Sequence, residues 1–151
     1  MRLANLQQQI TELKDAKDLE WGSGSFSKRI VMLHSSISGA ALACKNGQPS
    51  NCASQLATMV IQIIAFPTMF PSWGDIWGSQ SLEDFQTEGF SGDLWDHYFK
   101  LHQLASGLVG GRSDIILLFK MLQIARSATQ QQNIELSGAI KKQMDSYWQT
   151  A

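Results

Sequence analysis

Three histidines, two cysteines and thirteen acidic residues are the groups through which this 151-residue chain could do acid–base or metal chemistry, and their placement is uneven. No Asp or Glu stands between Glu20 and Asp75, so that whole stretch has no carboxylate to offer. The one acidic cluster is Glu83, Asp84, Glu88, Asp93 and Asp96. Solvated loop charge is its ordinary role, although a bound cation would be sought there first. His34 and His102 occupy matching places in two similar runs, MLHSSISGAA and KLHQLASGLV, each beside apolar residues. Packing is the role expected of them, with a pair acting in acid and base catalysis as the alternative. Cys44 and Cys52 flank KNGQPSN and could approach each other at the neck of a hairpin. In a cytoplasmic chain two reduced thiols are expected, and a zinc site needs more nitrogen and sulfur ligands than these. There is no phosphate-cradling glycine loop and no nucleophile elbow, and GLVGGRS reads as a helix-to-helix turn.

The elements that would position these groups are helical. Leu3, Leu6, Ile10, Leu13 and Ala16 recur at three and four, predicting an amphipathic helix from Arg2 to about Leu19. EWGSGS ends it, and Ser25 can cap the next helix. Residues 26–66 then read as two antiparallel helices. One apolar stripe is Phe26, Ile30, Leu33, Ile37, Ala40 and Cys44; the other is Leu56, Met59, Val60, Ile63 and Ile64. Residues 67–92 are a long connection rich in Pro, Gly and aromatics, in which Ser81 and Asp84 resemble a capping pair. Trp73 and Trp77, four apart, could stack on a base or plug the end of the bundle. Residues 93–150 hold a second hairpin and a last helix. The stretch from Asp114 to about Ala128 is apolar almost all round, predicting burial at the centre or in a subunit interface. Asn133 reads as the cap of the last helix. The expected fold is one all-α domain over 1–151: a helical bundle of two antiparallel hairpins plus an N-terminal helix.

Three runs carry a resemblance: LANLQQQITELKDAKDLEW, FSKRIVMLHSSISGAALACKNG and QLATMVIQII. Together they resemble the MazG-like branch of the all-α nucleoside triphosphate pyrophosphohydrolases. In that family Glu-x-x-Glu on the first hairpin helix faces Glu-x-x-Asp on the second. Residues three apart share a helix face, so four carboxylates converge on magnesium, which clamps the triphosphate and helps generate the attacking water. Here Ser36, Gly39, Gln55 and Thr58 hold those positions, and none is a carboxylate. Asp114 is the counterpart of Thr58 in the second hairpin. The resemblance therefore implies a degenerate member with no catalytic residues, no metal site and no cofactor. The cleft it implies is lined by Ser36, Gly39, Gln55 and Thr58, with Trp21, His34, Lys141 and Lys142 as further ligand contacts.

Charge sets the partners. Twelve Lys and Arg nearly balance thirteen Asp and Glu, which disfavours nucleic acid and anionic membrane surfaces. The N-terminal run lacks the apolar core of a signal peptide and no segment is apolar for long enough to span a bilayer, so a cytoplasmic protein is expected. The leading expectation is a non-hydrolysing protein that binds a nucleotide-like small molecule and associates as a homodimer. One alternative is an active pyrophosphohydrolase, magnesium-dependent, using displaced acids from the 83–96 segment or from a partner subunit. The other is a helical protein-interaction module.

Overall fold

The computed structural model describes residues 1–19, 21, 24–66, 80–85 and 92–149. Trp73, Trp77 and Glu88 lie outside them. Six α-helices account for nearly all of the described chain: α1 (Leu3–Ala16), α2 (Phe26–Lys45), α3 (Pro49–Ala65), α4 (Leu94–Ser106), α5 (Asp114–Gln131) and α6 (Leu136–Gln149). The described residues contain no strand, only one isolated bridge between Arg2 and Ser81.

Helix α1 buries Leu3, Leu6, Ile10 and Leu13, the stripe its period predicts. The Ser25 hydroxyl accepts from the Lys28 amide and starts α2. The α2–α3 turn is short because Gly47 takes a φ of +70° and Pro49 supplies a helix-ready φ in the first turn of α3. Partners then run in opposite directions, Cys44 with Cys52, Gly39 with Gln55 and Ser36 with Gln62, so the pair is antiparallel. Helices α4 and α5 form the second hairpin, with Gly107 against Leu117 and the His97 ring bonded to the Ser127 hydroxyl.

The hairpins meet through α2 and α4, while α3 also touches α1, α5 and α6. Helix α3 is thus the centre, burying Leu56, Met59, Val60, Ile61, Ile63 and Ile64 completely. The sequence offers the stretch from Asp114 either that place or a subunit interface; the first does not hold, since α5 leaves Ile116 exposed and Leu117 and Phe119 only partly covered. Its all-round apolarity reflects contacts with α4, α3 and the 80–85 segment on different sides, not a fully enclosed helix. That segment, with a 3₁₀ turn at Leu82–Asp84 capped by Ser81 and Asp84 as predicted, is tied to the start of α1 by Leu3 N–H to Gln80 O at 2.9 Å. The Arg126 guanidinium holds its other side, donating to the carbonyls of Glu83 and Phe85.

Asn133 does not cap the last helix. It takes a φ of +56° and ends α5: its N–H bonds to Gln130 O, and the Ile134 N–H reaches back to Thr129 O. That is the Schellman arrangement, and Asn is the non-glycine residue that tolerates it. The Glu135 carboxylate caps α6 instead, accepting from the Gly138 amide at 2.6 Å.

Candidate functional site

Helix α3 has one polar face, and it lies between α2 and α6. On the α2 side, a Cβ on Gly39 would stand 3.0 Å from Gln55 Oε1, so the glycine makes room for the Gln55 side chain. The Ser36 hydroxyl accepts from Gln62 Nε2 at 2.6 Å. On the α6 side, the Ser54 hydroxyl donates to Gln143 Oε1 at 2.8 Å, and Thr58 Oγ1 donates to Ser54 O and lies 3.3 Å from the Tyr147 hydroxyl. Ser36, Gly39, Gln55 and Thr58 are all half-buried, Ser36 and Gly39 on the α2 side of this face and Thr58 toward α6. Tyr147 packs in turn on the Trp21 ring, with centroids 5.8 Å apart. Trp21 is 9 % exposed, and its buried indole N–H has no acceptor among the described residues.

Lys141 and Lys142 share a groove of about 510 Å³ with Gly138, Asp145, Ser146 and Gln149, and each also borders another. Lys142 borders a groove of about 480 Å³ formed with Pro49, Ser50, Ser54, Gln143 and Ser146, at the start of α3. Lys141 borders another, of about 270 Å³, with Gln9, Glu12 and Trp148.

The acids are engaged in local structure. Asp93 and Asp96 form a reciprocal capping box at the start of α4, and Asp84 does the same for the 3₁₀ turn with Ser81. Glu83 accepts from the N-terminal ammonium and from Ser137, and the ammonium holds its carboxyl below the usual range. Asp114 is buried and accepts from the amides of Val109 and Gly110, folding the turn between α4 and α5. Among the described residues no three His, Cys, Asp or Glu side chains gather as metal ligands would.

The two matching histidines meet. His34 on α2 and His102 on α4 are half-buried and bonded to each other, Nδ1 to Nδ1 at 2.7 Å, with ring planes 3° apart and centroids 5.0 Å apart. Those three values together require two rings lying edge to edge in one plane, their nitrogens in line. A proton fits such a gap. A metal ion does not, since with bonds of about 2.0–2.1 Å two nitrogens in line would stand roughly 4 Å apart. His102 Nε2 is also 3.1 Å from the Ser38 hydroxyl. Burial, and then the neighbouring His34, lower the pKa of His102 below the ordinary histidine value. The signal for this contact was the internal repeat: residues at matching places in two similar hairpins meet where the hairpins pack on each other.

The cysteines differ from expectation. Cys44 and Cys52 are joined in a disulfide rather than standing as two thiols, and the buried Tyr98 hydroxyl lies 3.4 Å from Cys44 Sγ. The last turn of α2 and the first of α3 bring the pair together across Gly47.

No helix among the described residues is long and apolar enough to cross a membrane. Comparison of the chain with protein-family models, curated proteins and solved structures returns no match.

Proposed function

We propose that this chain is a catalytically degenerate MazG-like protein that binds a nucleotide-like small molecule without hydrolysing a triphosphate. The ligand's seat is the furrow over the polar face of α3, between α2 and α6. One observation carries this reading: the Trp21 indole N–H is buried beside Tyr147 and has no acceptor among the described residues, although a buried donor left unpaired costs roughly 1–3 kcal/mol. A ligand oxygen or ring nitrogen supplies the missing acceptor, and the Trp21 and Tyr147 rings supply apolar surface for a base. Lys142, at the groove continuous with Ser54, is the cation available to a phosphate. The side chains that replace the family's acids are neutral and already hydrogen-bonded within the protein, as Ser36 and Thr58 are, which supports binding without magnesium chemistry.

Calorimetric titration with nucleoside mono- and triphosphates, with and without magnesium, tests the reading. Metal-independent binding that is weakened at least tenfold in Trp21→Phe supports it. Binding that needs magnesium, or release of pyrophosphate, replaces it with the active-enzyme alternative, and silence throughout removes it.

A second reading has its own observation. Val31 and Leu42 on α2 and Trp95 and Phe99 on α4 are exposed large apolar side chains, with Lys45 over the Trp95 ring at 5.3 Å. Such a surface favours a protein-interaction module or homodimer formed through α2 and α4. Light scattering across a dilution series reads the self-association directly.

A further inference from the structure

We propose that Ser38 is an activated nucleophile and that Ser38, His102 and His34 form an acyl-transfer site, separate from the α3 furrow, which accepts activated esters. The three groups form one continuous line of hydrogen bonds, Ser38 Oγ to His102 Nε2 at 3.1 Å and His102 Nδ1 to His34 Nδ1 at 2.7 Å. This is a nucleophile within reach of a base, and a base oriented by a third group, drawn from two different helices.

The line is assigned the direction in which Ser38 donates. Hydroxyls inside a helix commonly donate to the carbonyl four residues back. Thr58 does so to Ser54 O, and Ser106 to His102 O. The Ser38 hydroxyl instead pairs with His102 Nε2, on the neighbouring helix. With the Ser38 proton directed there, Nε2 is the acceptor, so the His102 proton sits on Nδ1 and is donated to His34 Nδ1. His34 then carries its own proton on Nε2. In that arrangement His34 plays the part of the orienting group: it fixes the His102 tautomer and ring plane. The lowered pKa of His102 leaves Nε2 unprotonated at neutral pH, as a base must be.

The reaction closes on these atoms. Ser38 Oγ attacks the ester carbonyl carbon as its proton passes to His102 Nε2. The carbon–oxygen bond to the leaving group breaks, and that proton goes to the departing phenolate, leaving an acyl group on Ser38. Water then attacks the acyl carbon as it loses a proton to His102 Nε2, the bond to Ser38 Oγ breaks, and His102 returns that proton to Oγ as the carboxylic acid departs. The sum is ester plus water giving acid plus phenol.

The surroundings select the substrate class. Ser38 is exposed, so a substrate can reach it. Leu42 stands one turn along α2 and Phe99 one turn back along α4, 55 % and 64 % exposed, and they give an apolar acyl or aryl group surface to lie on. The backbone amides around Ser38 are committed to the helix ladder, so no preformed pair of N–H donors waits for the oxyanion. The site is therefore slow, limited to esters with good leaving groups such as aryl esters, and inert to amides.

The test uses the full chain with a fluorophosphonate probe, peptide mass spectrometry to locate the adduct, and 4-nitrophenyl butyrate for turnover. The expected result is an adduct confined to Ser38, with neighbouring Ser35 and Ser36 unlabelled. Labelling is lost in Ser38→Ala and slowed at least tenfold in His102→Gln. As a positioning residue, His34 is read through the pH profile: His34→Gln slows acylation and also shifts the midpoint of its pH dependence. Ser38→Ala replaces an exposed helical residue with a better helix former, so its fold, checked by circular dichroism, stays intact. No adduct, an adduct spread over the three serines, or labelling indifferent to His102 overturns the proposal. Nucleotide titration does not bear on Ser38, so this proposal and the ligand-furrow reading stand or fall separately.

Discussion

Burial beside His34 makes His102 sensitive to acid. Free histidine takes up its proton near pH 6.5 (about the value in an unfolded chain), whereas burial and His34 lower the pKa of folded His102 below that. Between the two values the unfolded state binds more protons than the folded one, so stability falls as pH drops through that window and is fully present above it. Melting temperatures between pH 7.5 and pH 5 should fall, and the fall should be smaller in His102→Gln. An equal fall in the variant would show that His102 titrates without consequence for the fold. Asp114 is the residue-scale contrast, a buried acid whose task is structural. Asp114→Ala strands the Val109 and Gly110 amides, at an expected cost of roughly 1–3 kcal/mol by urea unfolding, and Asp114→Asn, which keeps one acceptor, should cost less.

At the scale of elements, period and punctuation in the sequence locate most of the helices. The Leu3, Leu6, Ile10, Leu13 stripe, the Ser25 cap and the Ser81–Asp84 box all stand where composition places them, because each is decided by residues within a turn or two. Asn133 misleads because Asn suits both an N-cap and a left-handed C-terminal position; which role it takes depends on whether the preceding TQQQ continues the helix, and it does to Gln131. Rank of burial is less legible. Helices α3 and α5 are both apolar, and nothing local says that α3 touches four neighbours. Paired substitutions check the assignment: Leu56→Ala, at a fully buried site on α3, should cost about 2–5 kcal/mol, while Ile116→Ala on α5 should stay within about 0.5 kcal/mol. Of the candidate site, the repeat predicts matching roles for His34 and His102, but no local rule predicts their contact, which needs α2 and α4 to pack side by side.

Taken as a whole, the molecule is two helical hairpins joined through α2 and α4, with α1 and α6 laid against α3. Ser36 faces Gln62 on α3 whereas His34 and Ser38 face His102 on α4, so the two proposed sites lie on different sides of α2. The fold's one covalent crosslink, Cys44–Cys52, spans the turn that joins α2 to α3. A protease that cuts within that turn therefore severs the backbone without releasing either half. The nicked chain should run as a single species on a denaturing gel without reductant and as two fragments, near residues 1–46 and 47–151, once reductant is added. Two fragments without reductant would mean that the cysteines stand as thiols. Oxidation state thus decides whether a break at the hairpin's tip ends the protein or leaves its halves tethered.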